Sequence, residues 1–305
     1  MSLLDRLVRR ARDAAGIQID PDYSDRKGYD PGFLGEDGQP VELPVLTEAL
    51  AAQAAVNTRA TDEPRYVLPY HHFSVVLNKE RRLAFFTAVN IDGTLSQQPK
   101  RANDRWFFDP RVAEGEQTGK DVYDKNDLDL GHLVRRLDPA WGDSAAVAKL
   151  ANDDTFHFTN CSPQHKDFNR NKTRWAGMED YVLKHADNLN FKVNVFTGPV
   201  FAPDDDEYRG IQLPRQFWKV VTMAKTDGKL SATAYLLSQR ELISGLRTRE
   251  PFSYGAYRTY QVPLRKIEEL TGLSFGRLID ADPLARERGV TTPTRELDRF
   301  EDAVL

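Results

Sequence analysis

Asp127-Leu-Asp129-Leu-Gly131-His132-Leu-Val-Arg135-Arg136 and, further along, Phe156-His-Phe-Thr-Asn160-Cys-Ser-Pro-Gln164 are the two stretches on which the fold turns. Each breaks an otherwise simple pattern. In the first, a glycine precedes a histidine, and glycine permits an unusual backbone angle or the close approach of another group. In the second, side-chain amides and hydroxyls crowd the end of Thr155 to Asn160, a segment whose aromatic and β-branched residues predict a strand. Taken singly, neither points to a function. A lone Gly-His pair is what a structural histidine looks like, and amides at a strand end commonly cap a loop. Their order and spacing gain weight when Phe168-Asn169 and Trp175-Ala-Gly-Met-Glu179 follow.

Working outward, His72 to Leu77 and Leu83 to Asn90 read as adjacent antiparallel strands joined by a turn over Asn78 to Arg82. The loop from Asp92 to Asp127 carries Arg105-Trp-Phe-Phe-Asp109-Pro110. Gly142 to Leu150 predicts a helix capped by Asp143 or Ser144. Thr173 to Leu189 predicts another, with Trp175, Met178, Tyr181, Val182 and His185 at core-facing intervals. Further strands are expected at Phe191 to Thr197, Phe217 to Ala224 and Leu230 to Leu237. Pro263 to Leu270 predicts a helix with proline at its first position and Gly272 just past its end. Strands and helices do not alternate regularly, so a mixed α+β domain fits better than a doubly wound sheet.

Three regions are expected along the chain. Residues 1–63 comprise an N-terminal amphipathic helix over 3–15, then a Gly-, Pro- and Asp-rich extended arm with a small helix near Leu46 to Ala55. Residues 64–280 form the main domain, and 281–305 a charged tail.

The chain has 305 residues, a net charge of −4 and one cysteine, Cys161. A single cysteine excludes an internal disulfide and predicts a cytoplasmic protein. No apolar run approaches the roughly 20 residues of a membrane span, so no membrane is expected among its partners. A non-specific nucleic-acid binder is usually basic overall, so any such footprint here is local. From His165 to Arg174, Lys166, Arg170, Lys172 and Arg174 outnumber Asp167, and Arg135-Arg136 follows the histidine motif directly.

The ordered set Asp-x-Gly-His, Asn-x-Ser-Pro-Gln and Phe-Asn…Trp-x-x-x-Glu resembles the DNA/RNA non-specific endonucleases, the endonuclease G-like ββα-metal nucleases. The resemblance runs from about Phe73 to Leu278 and takes in Thr197-Gly-Pro199 and Ile267-Glu-Glu-Leu-Thr-Gly-Leu-Ser-Phe275. It implies a central antiparallel sheet flanked by helices and a ββα-metal finger holding one Mg²⁺, for which Mn²⁺ substitutes. By resemblance, His132 is the general base, and Asn169 is the direct metal ligand. Glu179 holds metal-bound water, Asn160 orients the site, and Asp129 positions the His132 loop. Arg105, matched through Arg-x-x-x-Asp-Pro, neutralises the phosphate. Arg135, Arg136, Arg170 and Lys172 are the candidate substrate contacts. The chemistry agrees: a neutral imidazole accepts a proton from water, and Mg²⁺ needs few protein ligands to offset phosphate charge.

The chain departs from many relatives in carrying Leu130 where they have arginine, a phosphate contact that is either lost or taken over by Arg135 or Arg136. Asn171 has the shorter spacing to Glu179 and is a rival to Asn169. The resemblance implies a Mg²⁺-dependent endonuclease on DNA and RNA that leaves 5′-phosphate and 3′-hydroxyl ends, commonly as a homodimer. Restraint by an inhibitor or triggering by an activating partner follows as an expectation, since a free nuclease endangers its own cell; a defence effector is one such role. The alternative is a nucleic-acid-binding or assembly protein that kept the fold without the chemistry.

Overall fold

The computed structural model describes residues 17–35, 40–101, 104–170, 192–225, 227–240, 242–243, 259–286 and 295–297. In chain order the first strands are β1 (Val45–Leu46), β2 (Val67–Pro69), β3 (Phe73–Asn78), β4 (Leu83–Asp92), β5 (Leu128–His132) and β6 (Cys161–His165). There follow β7 (Lys192–Val200), β8 (Glu207–Tyr208), β9 (Ile211–Gln212), β10 (Gln216–Ala224), β11 (Leu230–Ser238), β12 (Thr259–Val262), β13 (Leu273–Ser274) and β14 (Arg295–Glu296). Among the described residues, eight of these build one antiparallel sheet in the order β14-β12-β11-β10-β7-β4-β3-β2. Each expected strand in this sheet is present, its bounds moved by at most three residues.

The long strands read as almost unbroken apolar runs because both faces of the sheet are covered. On one face Val89, Val195, Phe217 and Tyr235 pack with Leu133, Val134 and Phe168 from the segment that bears the two motifs. On the other, Phe86, Phe196, Trp218 and Leu236 meet Leu264, Ile267 and Phe275. The chain therefore presses its chemistry-bearing segment onto one side of the sheet and a plain helical lid onto the other. The α+β class and the central antiparallel sheet are as expected.

Among the described residues the α-helices are α1 (Glu48–Ala51), α2 (Ala145–Asp154), α3 (Lys166–Asn169) and α4 (Leu264–Thr271). Ser144 caps α2, its side chain accepting from Val147 N, and α2 runs past the expected Leu150 to Asp154. Pro263 is the N-cap of α4 rather than its first residue. Gly272 ends it with φ 71°, and its N–H donates to Glu268 O at 2.8 Å. A left-handed residue at this place releases no Cβ strain only if it is glycine.

The expected strand over Thr155 to Asn160 is corrected. Phe158–Asn160 is a 3₁₀ turn, and the strand is the next five residues, Cys161–His165. The cause is Asn160, whose side chain takes up backbone groups that a strand would have paired. β6 pairs antiparallel with β5, and Pro163 sits opposite Leu130 in this two-stranded ribbon, where a missing N–H is tolerated.

The arm lies against the sheet, burying Tyr23, Tyr29, Phe33, Val41 and Leu46. β1 pairs with β13 through Val45↔Ser274 and Leu46↔Leu273. The helices expected at 3–15 and Thr173 to Leu189 lie outside the described residues. Among the described residues, no helix is long and apolar enough to cross a membrane.

Ile267 is fully covered at the interface of α4 and the sheet. Ile267→Ala is expected to lower unfolding free energy by about 2–5 kcal/mol through lost burial and a residual cavity. Urea denaturation followed by circular dichroism measures this as a lower midpoint with an unchanged slope.

Candidate active site

β5 ends on His132, which pairs with Cys161 across the ribbon. What holds this end in place is Asn160. Its Oδ1 accepts from Val134 N at 2.8 Å, and its Nδ2 donates to Val134 O and Thr155 O, both at 2.9 Å. Its carbonyl accepts from Leu133 N at 3.0 Å. The buried amide is saturated by backbone, so Asn160 reaches no substrate; it orients the chain that follows His132.

That chain turns back over Asp138, which receives Arg135 N at 3.2 Å and donates its own N–H to Arg135 O at 3.0 Å. Asn152 on α2 donates to Arg136 O at 2.8 Å, and Trp141 Nε1 donates to Asn90 O on β4 at 2.7 Å. Arg135 and Arg136 thus sit on a backbone braced from the helix and from the sheet.

The braced segment walls a cavity of about 770 Å³. Its described lining carries Arg101, Arg105, Lys120, Arg135, Arg136 and Arg170 against only Asp104 and Asp129, six positive charges to two negative. Trp106, Leu130, Leu137 and Phe158 supply its apolar walls. His132 lies in it half-buried, its ring 4.6 Å from that of Trp106 and edge-on to Phe156 at 4.9 Å. Its Nε2 is covered from water and has no hydrogen-bond partner among the described residues. Burial pushes the imidazole down to about 3; Asp104 opposes the fall, while Arg101, Arg136 and Arg135 add to it. The ring is therefore neutral at physiological pH, with a lone pair or N–H held in reserve.

Asp129, expected to position the His132 loop, acts toward the other wall. Asn169 Nδ2 donates to its Oδ2 at 3.0 Å. Arg170 forks onto the same carboxylate, with Nε–Oδ2 at 2.7 Å and Nη2–Oδ1 at 2.5 Å. The Asn169 amide is thereby oriented: its nitrogen faces Asp129, and its Oδ1 has no hydrogen bond among the described residues. Phe168, buried against Phe217 at 5.5 Å, anchors α3 to the sheet so that Asn169 stays at the cavity. Arg170 lines the cavity, but its guanidinium is already engaged.

Gly131 serves the second of its two expected uses. Its φ is not positive; a Cβ there would meet Gln164 Oε1 at 2.3 Å and Cδ at 2.5 Å. Close approach across the ribbon, from the Asp129↔Gln164 pair, is what excludes a side chain.

Of the residues named from sequence, His132, Asp129, Asn169, Arg105, Arg135, Arg136 and Arg170 come together at one cavity, with Asn160 behind it. Arg105 stacks over Phe107, its Cζ 4.9 Å from the ring centroid. Lys172, Asn171 and Glu179 lie outside the described residues. Arg101, Asp104, Trp106 and Lys120 were missed. They sit in the stretch read only as a loop, where nothing periodic marks them. Asp109 of the Arg-x-x-x-Asp-Pro landmark is not at the cavity; it is fully buried and bound bidentately by Arg111.

Residues 51–282 match the model of the family described as DNA/RNA non-specific endonuclease. Protein y4fB of Sinorhizobium fredii (strain NBRC 101917 / NGR234) is 42% identical over 277 residues, which are 85% of this chain and 40% of that protein. The chain thus spans less than half the length of that relative. Nuclease C1 of Cunninghamella echinulata var. echinulata is 25% identical over 242 residues, 75% of this chain and 89% of that one. The solved structure "Crystal structure of the EndoG/EndoGI complex: Mechanism of EndoG inhibition" superposes with a TM-score of 0.53 and 19% identity, covering 71% of this chain and 86% of the other. At that identity the likeness is one of fold.

The Gly131 contact has a measurable consequence. Gly131→Ala is expected to cost about 1–3 kcal/mol by forcing Gln164 or the ribbon to shift. Differential scanning calorimetry reads the lower melting temperature, and Gly131→Ala combined with Gln164→Ala recovers part of it.

Proposed function

The chain belongs to the DNA/RNA non-specific endonuclease family, and on that premise we propose that it hydrolyses phosphodiester bonds in DNA and RNA with His132 as general base and one divalent cation, Mg²⁺ or in its place Mn²⁺. The observation that carries this is His132, whose Nε2 has no hydrogen-bond partner among the described residues, lining a cavity whose described walls carry six cationic side chains. A purely structural histidine in such a place would have a hydrogen-bond partner.

The donor set fits a hard cation that keeps most of its waters. Asn169 Oδ1 is the oxygen left open when Asp129 takes the amide nitrogen, and an amide oxygen suits Mg²⁺. Among the described residues no three His, Cys, Asp or Glu side chains converge on a metal position. Asn169 would hold the cation directly, and Glu179, which lies beyond the described residues, would hold it through a bound water. When bound, the cation neutralises phosphate charge and stabilises the departing oxygen.

The chain's own residues do the rest. Arg105, Arg135 and Arg136 bind the phosphodiester through its oxygens and not its bases, which gives affinity without sequence preference. His132 takes a proton from a water molecule as that water's oxygen bonds to phosphorus. The P–O3′ bond breaks, leaving a 5′-phosphate on one fragment; the 3′-oxygen collects its proton from solvent. A ring pushed down to about 3 is neutral but a weak base. An anionic phosphate seated among Arg101, Arg135 and Arg136 cancels part of the repulsion that disfavours the imidazolium, so substrate itself strengthens the base.

The reading extends to a homodimer, to cytoplasmic residence and to restraint by a protein inhibitor. The last draws support from the EndoG neighbour, whose solved structure is of a complex with EndoGI.

Plasmid and total RNA incubated with the purified chain and Mg²⁺ should both be degraded, with EDTA abolishing cleavage. His132→Ala should lower kcat by about 10²–10⁴-fold, the range of a lost general base. Full activity in that variant, or in EDTA, rules out the mechanism.

The pH profile checks the same group independently. A base held at about 3 in the free protein stays deprotonated as pH falls through the ordinary histidine range. So kcat/KM should stay level down to about pH 5, and the acid limb of kcat should lie at higher pH than that of kcat/KM. A shared midpoint near 6.5 would contradict the burial argument.

A further inference from the structure

The segment matched to the family begins at residue 51, yet an earlier part of the chain reaches the back of the site. Tyr23 of the arm is buried among three guanidinium groups, with Arg26 Cζ 3.9 Å, Arg111 Cζ 4.4 Å and Arg59 Cζ 5.5 Å from its ring centroid. Arg26 forks onto Asp154 at the end of α2, with Nε–Oδ2 at 2.8 Å and Nη2–Oδ1 at 2.9 Å. These contacts lock the aromatic ring in place and leave its hydroxyl pointing at one atom, His157 Nε2, at 2.7 Å.

The direction of that bond is determined. His157 Nδ1 lies 2.7 Å from Asp154 O, a carbonyl that can only accept, so Nδ1 carries the proton. Burial lowers the pKa of His157 and keeps the ring neutral. Nε2 is then an acceptor, and Tyr23 donates to it.

His157 is the residue from which the Phe158–Asn160 turn springs: Asn160 N donates to His157 O at 2.9 Å. Asn160 in turn holds Leu133 N and Val134 N, the two amides directly after His132. Thr159, between them, is fixed from the other side by the Tyr70 hydroxyl at 2.6 Å. A run of hydrogen bonds therefore leads from the arm to the backbone of the base through buried residues, His157, Thr159 and Asn160, where such bonds reinforce one another.

We infer that Tyr23 is a positioning residue for the nuclease reaction: by donating to His157 Nε2 it sets the Phe158–Asn160 turn and, through Asn160, the place of His132. The inference rests on the nuclease reading of the cavity. It makes the arm part of the working enzyme, acting on turnover and not on substrate affinity, because Tyr23 is remote from the cationic lining.

Tyr23→Phe keeps the ring among its guanidinium neighbours and removes one oxygen. In the full chain with Mg²⁺, kcat on plasmid is expected to fall about tenfold, the scale of a small displacement of a catalytic group. KM, and DNA binding measured in EDTA, should stay within about twofold of the parent. His157→Asn retains a donor for Asp154 O but is too short to reach Tyr23. It should show the same loss, and the double variant Tyr23→Phe, His157→Asn no more than either single one. Should Tyr23→Phe not fold, His157→Asn carries the test. A kcat within about twofold of the parent, a rise in KM with kcat intact, or a loss that matches the unfolded fraction at the assay temperature overturns the inference. If the parent chain cleaves and Tyr23→Phe cleaves equally well, only this inference fails; if the parent does not cleave, the nuclease reading fails and takes the inference with it.

Discussion

The side-chain amide of Asn160 is the constraint on which the rest of the site depends. A free asparagine has two donors and an acceptor to satisfy, and here all three go to backbone: Val134 N, Val134 O and Thr155 O. Each such bond contributes on the order of 1 kcal/mol net, but the cost of leaving any one buried and unmade is larger. The amide therefore works as a rigid post between two pieces of chain, reinforcing the β5–β6 pairing and the Leu133 N to Asn160 O bond. On one side it shapes the turn from which β6 departs. On the other it fixes the two residues after His132, and the arginines at 135 and 136 inherit that placement. An aspartate of the same shape would lose both donors and add a buried charge.

The electrostatics of the cavity follow from that placement and run against the chain as a whole. The net charge is −4, which taken alone disfavours a nucleic-acid partner. Six cationic side chains nevertheless converge on one cavity, where walls of Trp106, Phe158 and Leu137 keep their field from being screened as it would be on an open surface. Gathering like charges also has a cost, visible at His132, whose proton affinity falls from burial first and from Arg101, Arg136 and Arg135 next. A polyanion relieves this. The same arrangement thus disfavours the empty site and favours the occupied one, and this asymmetry does not require any base to be read.

How much of this was legible in sequence depends on what kind of force acts. Strands buried on both faces, such as Gln216–Ala224, announce themselves by continuous β-branched and aromatic runs, and α4 by its proline and its Gly272. The motif residues His132, Asp129, Asn160 and Asn169 were found because their types and order are tied to chemistry. Thr155 to Asn160 failed as a strand because local propensity lost to a side chain that reaches its own backbone, a competition that composition does not display. Arg101, Lys120 and Trp106 were invisible for a different reason. They reach the cavity along an irregular loop, and only the path of that loop brings them there. Gly131 was legible as a glycine with a purpose; which purpose depended on Gln164, its neighbour across the ribbon.

The arm carries that argument one step further, because its contacts are ionic and buried. Asp154 accepts from Arg26, from His71 Nδ1 at 2.7 Å and from His71 N at 3.2 Å, and its carboxylate is held well below the usual range by these partners in spite of burial. Take the arm away and Asp154 loses its guanidinium while Arg111 loses the ring of Tyr23. Breaking one side of a buried pair typically costs about 3–5 kcal/mol, a large part of what holds a domain folded. The arm therefore stabilises the region between α2 and the Phe158–Asn160 turn. A segment that lies outside the family-matched residues is then not an appendage of the folded unit. It closes the charge balance of the wall on which His132 is mounted, so the physical boundary of the domain lies well before residue 51.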